Sequence, residues 1–291
     1  MFKGSIVALV TPFSRGKLDE TALRRLVEFH VKSGTDAVSP CGTTGESPTL
    51  THEEHHRVVE VVIEQALGRV PVIAGTGSNS TAEAISLTRH AKDAGADAAL
   101  MIAPYYNRPT QRGLFEHFRA VARKADIPII LYNHQGRTGV TLQPETIRAL
   151  TEVGRFVAVK DASGGVEYAS RVLELCEGKV GVLSGNDPWT LPLLSLGGSG
   201  VISVIANIAP GDMGNMVREY LGGNAKKARR LHYRMVPLMR ALELEVNPVP
   251  VKTAMGMMGM ISPGVRPPLS GMSAKNRRRL RGALRGYGLV K

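Results

Sequence analysis

The chain has 291 residues, of which 43% are hydrophobic and 21% are charged, a composition that suits one large α/β domain or two small ones. No segment approaches the ~20 uninterrupted apolar residues of a membrane helix, and the first five residues lack the layout of a signal peptide. We therefore expect a soluble, cytoplasmic protein with no membrane partner. The two cysteines, Cys41 and Cys176, are too few for a disulfide framework, so we expect reduced thiols.

The formal net charge of +12 raises the hypothesis of a nucleic-acid partner. Much of the excess lies in two clusters without an acid, which contain Lys226, Lys227, Arg229 and Arg230, and Lys275, Arg277, Arg278, Arg279, Arg281, Arg285 and Lys291. A phosphate-binding surface would use such clusters. Because no aromatic residues interleave with these charges, we favour solvated helix faces and predict no nucleic-acid partner.

Strand and helix patterns alternate over the first two thirds of the chain. The predicted strands are short apolar runs bounded by glycine, proline or polar residues, at residues 5–10, 37–39, 70–75, 98–103, 127–132, 156–160, 180–184 and 200–205. Helical patterns or capping residues separate them, at residues 19–33, 53–67, 80–94, 111–125, 144–153, 167–176 and 188–196. Eight strands with helices between them predict a parallel (β/α)8 barrel.

From Pro210 onward, the sequence shows helical patterns only. The predicted helices cover residues 213–221, 225–244, 250–260 and 273–285. We therefore predict an α/β protein with a catalytic (β/α)8 TIM barrel, residues 1–209, and a C-terminal helical region, residues 210–291. No low-complexity linker separates the two parts, so we expect them to share one folding unit.

The apolar run Phe156-Val157-Ala158-Val159 leads directly into Lys160. Such a run is typical of a strand buried on both faces, with the lysine at its carboxyl end. Burial favours the neutral amine, which is the form that attacks a carbonyl group to give a Schiff base. The alternative is a lysine whose ammonium group extends to water. The residues at the other strand ends favour the Schiff-base role.

Active sites of (β/α)8 enzymes lie at the carboxyl ends of the strands. Polar or small residues stand at several of these ends here: Thr43 and Thr44 after the second strand, Tyr105 and Tyr106 after the fourth, Tyr132 and Arg137 at and after the fifth, and Gly185 after the seventh, with Ile202 on the eighth. The hydroxyl, phenol and guanidinium groups among them can bind carboxylates and move protons. Together they predict one active site around Lys160.

Seven motifs resemble those of a known family, at residues 42–47, 71–77, 104–109, 137–139, 159–161, 183–185 and 247–252. They are similar to the dihydrodipicolinate synthase family of the class I pyruvate aldolase superfamily, and the similarity runs nearly end to end. The resemblance implies a lyase that condenses pyruvate with aspartate 4-semialdehyde to 4-hydroxy-tetrahydrodipicolinate in the diaminopimelate route of lysine biosynthesis. It implies no cofactor and no metal.

The resemblance also implies which residues move protons. Lys160 would form the Schiff base with pyruvate, and Tyr132, Thr43 and Tyr106 would form a hydroxyl relay. Each hydroxyl in such a relay both donates and accepts a hydrogen bond. Tyr106 is expected to reach in from a neighbouring subunit, so a dimer would be the smallest complete enzyme, and we expect a homotetramer built as a dimer of dimers.

The same resemblance implies the substrate contacts. Thr44 would bind the pyruvate carboxylate, and Arg137 would bind the carboxylate of the semialdehyde, since its planar fork of donors suits a planar acceptor. Gly185 and Ile202 would contribute backbone carbonyl groups near the lysine.

The loop after the fifth strand departs from the pattern of the family. A hydrophobic residue and a proline usually follow Tyr-Asn there, whereas this chain has His134-Gln135-Gly136 before Arg137. Glycine permits conformations that proline forbids, so the direction of Arg137, and with it the identity of the aldehyde, stays open. For His134 we favour a side chain that faces solvent; the alternative is a contact to the second substrate.

A second group of residues matches the lysine-binding site that some family members have at a subunit interface: Ser47, Pro48, His52, His55, Asn79, Glu83 and Tyr105. We therefore expect lysine as an allosteric inhibitor, with Glu83 suited to an ammonium group and His55 to a carboxylate. Plain interface packing is the alternative. His52 and His55 could also suggest a metal site, but no third ligand is evident.

Other functions are compatible with the sequence. One is another pyruvate-dependent aldolase or lyase that acts on a sugar acid or a hydroxy-oxo acid. A second is a barrel that has lost catalysis and only binds a ligand, which the intact Lys160, Tyr132 and Thr43 argue against. A basic nucleic-acid binder is the third, and it rests on charge alone.

Overall fold

The computed structural model describes residues 2–291, so Met1, the first residue of the predicted barrel region, lies outside the described residues. Its main sheet has eight parallel strands, namely β1 Gly4–Ala8, β2 Ala37–Ser39, β3 Ile73–Gly75, β4 Ala98–Ile102, β5 Ile129–Asn133, β6 Phe156–Asp161, β7 Gly181–Ser184 and β8 Gly200–Ser203. Consecutive strands are neighbours, and β1 pairs with β8. A bridge between Val38 and Val72 links β2 to the start of β3, so the sheet forms a nearly closed barrel, as predicted.

The helices surround this barrel and extend beyond it: α1 Glu20–Lys32, α2 His52–Ala66, α3 Thr81–Ala94, α4 Gln111–Ala125, α5 Gln135–Thr138, α6 Pro144–Leu150, α7 Val166–Cys176, α8 Thr190–Ser195, α9 Pro210–Leu221, α10 Ala225–Leu242, α11 Val249–Met257 and α12 Ala274–Tyr287. Side-chain caps begin several of them, and Thr51 and Glu54 form a reciprocal capping box on α2. The sequence did not indicate α5 or the small antiparallel pair Phe13–Ser14 with Lys17–Leu18.

The alternation of side chains along each strand decides which residues point into the barrel. On β6, Ala158 belongs to the inner core, whereas Val159 packs against the outer helices. Lys160 is two residues after Ala158, so it shares the inward face. On β5, Tyr132 also belongs to the inner core, and the register places it directly beside Lys160.

The C-terminal helices pack against the β1 side of the barrel. Met235 and Leu238 of α10 and Leu280 of α12 share one hydrophobic core with Val7 and Leu9. The two predicted regions thus share one hydrophobic core, and their folding as one unit stays a prediction. No helix within residues 2–291 combines the length and the apolar composition needed to cross a bilayer.

Candidate active site

Lys160 lies at the carboxyl end of β6, inside the mouth of the barrel, and is only 6% exposed. Its Nζ lies 4.0 Å from the centre of the Tyr132 ring. Burial lowers the pKa of Lys160 to about 7; the negative charge of Asp187 acts against this shift, and the positive charge of Arg137 adds to it. Near neutral pH a large part of Lys160 is therefore the uncharged amine, as the sequence predicted.

Tyr132 is 5% exposed and faces Thr43 across the barrel mouth. Burial raises the pKa of Tyr132 to about 12, against the opposing effects of the Arg137 charge and of a hydrogen bond with Thr43. Tyr132 therefore keeps its proton at neutral pH. A phenol hydrogen-bonded to a hydroxyl can pass a proton along without itself becoming an anion.

The Thr43-Thr44 turn is held in place by the C-terminal region. Asn247 Nδ2 donates a hydrogen bond to Thr44 Oγ1 at 3.0 Å. Two residues further on, the carboxylate of Glu46 forms an ion pair with Lys252 in which both side chains are fully buried, and Glu46 also accepts the backbone N–H of Arg266 at 2.9 Å. The sequence pointed to Asn247 and Lys252 as motif residues but gave them no role.

A cavity of about 290 Å³, which we call the Lys160 cavity, opens above the amine. The predicted site residues that line it are Thr43, Thr44, Tyr132, Arg137, Lys160 and Gly185. A Cβ atom on Gly185 would lie 3.1 Å from Cε of Lys160 and 2.9 Å from Cβ of Ala162, so a larger residue would crowd the lysine. Ile202 is buried in the inner core and does not line this cavity.

His134 also lines the Lys160 cavity, so the preferred expectation that it faces solvent was wrong. Its ring lies edge-on to Tyr132, with the centroids 6.0 Å apart. Burial lowers the pKa of His134 to about 4, and the charges of Arg137 and Lys160 add to the effect. His134 is the N-cap residue of α5, and its carbonyl oxygen accepts the N–H groups of Arg137 and Thr138.

Asp187 is a cavity residue that sequence reasoning missed. Its Oδ2 accepts the backbone N–H groups of Val204 and Ile205 at 3.1 and 2.8 Å. Its Oδ1 is buried, with no hydrogen-bond partner among residues 2–291. The available signal was its position two residues after Gly185, at the end of β7. Burial raises the pKa of Asp187, and the Ser203 hydroxyl and the two amides oppose this rise.

Tyr106 does not join the other predicted catalytic residues within its own chain. It is 90% exposed, has a positive φ of 72° and does not line the Lys160 cavity. An aromatic ring held outward in this way is available to a neighbouring molecule.

A second cavity, of about 370 Å³, lies beside the first. Six of the seven residues predicted to bind lysine line it: Ser47, Pro48, His52, His55, Glu83 and Tyr105. Asn79 is not among the lining residues; its carbonyl oxygen accepts a hydrogen bond from Asn107. Thr43, Tyr132 and Arg137 line both cavities, so the two share a wall.

The polar groups of the second cavity are mostly satisfied by one another. Glu83 contacts His52 Nε2 at 2.6 Å and accepts a hydrogen bond from Ser78, which holds the pKa of Glu83 below its usual range. His55 Nε2 lies 2.8 Å from the carbonyl oxygen of Gly75, and burial lowers the pKa of His55 to about 4. A neutral His55 that donates to Gly75 can only accept at Nδ1, so it suits an ammonium group and not the carboxylate assigned from sequence.

A buried amine with a lowered pKa, beside a phenol and a hydroxyl at the mouth of a (β/α)8 barrel, defines a Schiff-base-forming lyase of class I. Comparisons with known proteins specify which one. The model of the Dihydrodipicolinate synthetase family matches residues 1–286, and the chain belongs to this family.

Three relatives illustrate the similarity. The 4-hydroxy-tetrahydrodipicolinate synthase of Syntrophus aciditrophicus is 55% identical over 290 residues, which covers 100% of both chains. The chloride-inhibited dihydrodipicolinate synthase of Acinetobacter baumannii, solved with pyruvate, matches with a TM-score of 0.97 and 44% identity over 100% of both chains. The enzyme of Cyanidioschyzon merolae, solved with lysine bound, matches with a TM-score of 0.96 and 40% identity over 99% of both chains.

Proposed function

We propose that Lys160 forms a Schiff base with pyruvate and that the resulting enamine condenses with aspartate 4-semialdehyde to give 4-hydroxy-tetrahydrodipicolinate. The reaction is that of a 4-hydroxy-tetrahydrodipicolinate synthase, a lyase of lysine biosynthesis, as in the relatives named for it. The observation that carries the assignment of Lys160 is its burial without an ion pair, beside Tyr132, which leaves a reactive amine near neutral pH.

The proposed reaction has four steps. The neutral amine of Lys160 attacks the keto carbon of pyruvate, and loss of water gives the protonated imine. This cation withdraws electrons, so a proton leaves the methyl group and an enamine forms. The enamine carbon then bonds to the aldehyde carbon of the second substrate, whose oxygen takes up a proton. The substrate ammonium group then loses a proton, and the resulting amine attacks the imine carbon to close the ring. The bond from this carbon to Nζ breaks, Nζ takes up a proton, and Lys160 is released.

Each of these steps moves a proton, and Tyr132 with Thr43 supplies the nearest path. Their hydrogen bond and the raised pKa of Tyr132 support a relay in which the phenol stays protonated between steps. We assign Tyr106 to the same relay in a neighbouring subunit, since its ring is exposed and lies outside the cavity of its own chain. The active assembly is then at least a dimer, and we propose a homotetramer.

The two substrate carboxylates have different binding groups. Thr44, fixed by Asn247, binds the carboxylate of pyruvate close to the amine. Arg137 lies at the mouth of the same cavity, near the carbonyl oxygen of Asn247 at 3.5 Å, and binds the carboxylate of the semialdehyde. We also assign to this site the backbone carbonyl groups of Gly185, which follows β7, and of Ile202, on β8.

Lysine is a proposed inhibitor at the second cavity. The relative from Cyanidioschyzon merolae was solved with lysine bound, and six of the seven residues predicted for this ligand line one cavity here. Asn79 completes the proposed site from its rim. The cytoplasm is the proposed location, as for other enzymes of amino-acid biosynthesis.

Trapping of the imine tests the assignment of Lys160. With pyruvate and cyanoborohydride, we expect a reduced pyruvyl adduct on the peptide that contains Lys160, and Lys160→Ala should abolish both the adduct and turnover. Lys179→Ala is the control, because it removes an exposed lysine that is paired with Glu152. An adduct on Lys179 or Lys252 would overturn the assignment.

A second experiment tests Arg137. Arg137→Ala should raise the KM for the semialdehyde and leave the pyruvate adduct intact. Unchanged kinetics for the semialdehyde would mean that its carboxylate binds elsewhere.

A further inference from the structure

Three carboxylates line the Lys160 cavity, on Asp187, Glu243 and Glu245, and they differ in what they already contact. Asp187 accepts two backbone amides and is buried beside the amine. Glu245 accepts the backbone N–H and hydroxyl of Ser273 and the side chain of Asn276, at 2.8 to 3.0 Å. Among residues 2–291, no hydrogen bond or ion pair engages the carboxylate of Glu243.

The position of Glu243 is unfavourable for an acid. It is the C-cap residue of α10, where its N–H binds the carbonyl oxygen of Arg240. The unpaired carbonyl groups at a helix C-terminus carry partial negative charge, so an anion there is destabilising. Glu243 is exposed at the cavity rim, and partial desolvation there raises the pKa of its carboxyl. Within the described residues, Arg240, one turn earlier, forms no ion pair with it.

An acid that the fold disfavours on two grounds, and that lines the reactive cavity, indicates a functional role. The proposed second substrate has three polar groups: an aldehyde, an α-carboxylate and an α-ammonium group. The enamine on Lys160 takes the aldehyde, and Arg137 takes the carboxylate. The ammonium group needs an acceptor on the same cavity wall, and a carboxylate without another partner supplies the strongest kind of hydrogen bond for it.

We propose that Glu243 binds the α-ammonium group of the amino aldehyde substrate and thereby selects it over aldehydes that lack an amino group. The proposal rests on the proposed function, since it names a specificity residue for the same reaction. Glu243 lies at the end of α10 and Arg137 in the loop after β5, so the two charges approach the substrate from different elements. Binding of the ammonium group also removes the cost of an unpaired acid at this helix end.

The test compares two aldehydes that differ only in the amino group. Aspartate 4-semialdehyde is the substrate, and succinic semialdehyde, which has the same carbon chain and carboxylate, is used as a competitor for the enamine. In Glu243→Gln we expect the KM for aspartate 4-semialdehyde to rise by somewhat more than about tenfold, the lower end of the range for hydrogen bonds to charged groups. The inhibition constant of succinic semialdehyde should stay unchanged, and Glu243→Asp should recover part of the loss.

Glu177→Gln is the matched control, because Glu177 is also an exposed C-cap acid, on α7, outside the Lys160 cavity. It should leave both constants unchanged. If Glu243→Gln alters both aldehydes equally, the residue only shapes the cavity, and the proposal is wrong. A selective loss in Asp187→Asn with none in Glu243→Gln would also overturn it. Wild-type protein that forms the pyruvate adduct but does not use aspartate 4-semialdehyde would instead contradict the proposed function.

Discussion

Lys160 and Lys252 are both buried lysines, but only Lys252 has a carboxylate partner. The Lys252 ammonium group is fully buried against Glu46 and lies 4.3 Å from the centre of the Phe13 ring. Burial lowers the pKa of Lys252, and the hydrogen bond and charge of Glu46 act against this shift. The acid whose charge influences Lys160 is Asp187, and no ion pair joins the two among residues 2–291. Burial alone therefore does not make a lysine nucleophilic; it does so where the fold withholds a counter-ion.

We expect the largest effect from removing the counter-ion of Lys252. Glu46→Gln leaves a buried ammonium group without a charge partner, so we expect a loss of about 3–5 kcal/mol in the free energy of unfolding. For a chain of this size, that loss corresponds to a thermal midpoint lower by about 10 °C. Thermal denaturation followed by circular dichroism measures the shift.

Glu64→Gln provides the control for Glu46→Gln, because Glu64 pairs with Arg24 and Arg57 at the exposed surface. Exposed pairs contribute about 0–1 kcal/mol, so its midpoint should hardly move. Equal midpoints for the wild type and Glu46→Gln would show that Lys252 loses its proton without a measurable cost, and the contrast between the lysines would fail.

The groups around Lys160 provide the next largest effect. Tyr132→Phe and Thr43→Val each remove one hydroxyl of the relay, and we expect kcat to fall by about 10²-fold, the scale of a positioned proton transfer. The fold should survive, because neither change leaves a buried charge. Steady-state kinetics with both substrates measures the loss.

Tyr168→Phe is the control for this pair. Tyr168 is a tyrosine outside both cavities whose hydroxyl donates to the carbonyl oxygen of Leu142. Its removal should lower stability and leave kcat unchanged. Wild-type kcat in Tyr132→Phe would exclude Tyr132 from the relay.

The pH dependence of imine formation distinguishes the two lysines directly. Because burial sets the pKa of Lys160 at about 7, the single-turnover rate of adduct formation should rise about tenfold per pH unit below 7 and level off above it. The sign for stability follows from the same shift. Between pH 7 and the pKa of the unfolded lysine, about 10.4, the unfolded chain binds more protons, so this group makes the fold more stable as the pH rises. A rate that still rose tenfold per pH unit between pH 8 and 9 would contradict the lowered pKa.

The smallest effect concerns the second cavity, where most polar groups already have partners. Lysine must replace contacts of Glu83 with His52 and Ser78, so we expect partial inhibition at millimolar lysine, with a coupling free energy of about 1–3 kcal/mol. Thr43, Tyr132 and Arg137 form the shared wall, and a ligand that moves this wall disturbs the relay. Glu83→Ala should remove inhibition and keep most basal activity, and arginine should inhibit much more weakly.

Glu60→Ala is the control for Glu83→Ala, because Glu60 pairs with His90 outside the second cavity. Lysine should inhibit the Glu60→Ala variant as it inhibits the wild type. A lysine titration that changes neither the rate nor the thermal midpoint would contradict the proposal that lysine binds in the second cavity.

Local sequence patterns were sufficient to predict part of this arrangement. The apolar run before Lys160 is enough to predict a buried strand that ends in a lysine, and the regular alternation of strands and helices implies closure of the barrel. The pairing of Glu46 with Lys252 joins residues 206 positions apart, and no local pattern encodes it. His134 caps the helical turn α5, which is too short to leave a periodic signal.

The dependence of the Thr43-Thr44 turn on residues near the end of the chain has a consequence for biosynthesis on the ribosome. A nascent chain that has reached β8 can pair that strand with β1, yet it still lacks Asn247 to hold Thr44 and Lys252 to neutralise Glu46. Such a chain contains every strand of the barrel and an acid without its counter-ion. The Thr43-Thr44 turn and the buried Glu46 thus lack these two contacts until translation is almost complete.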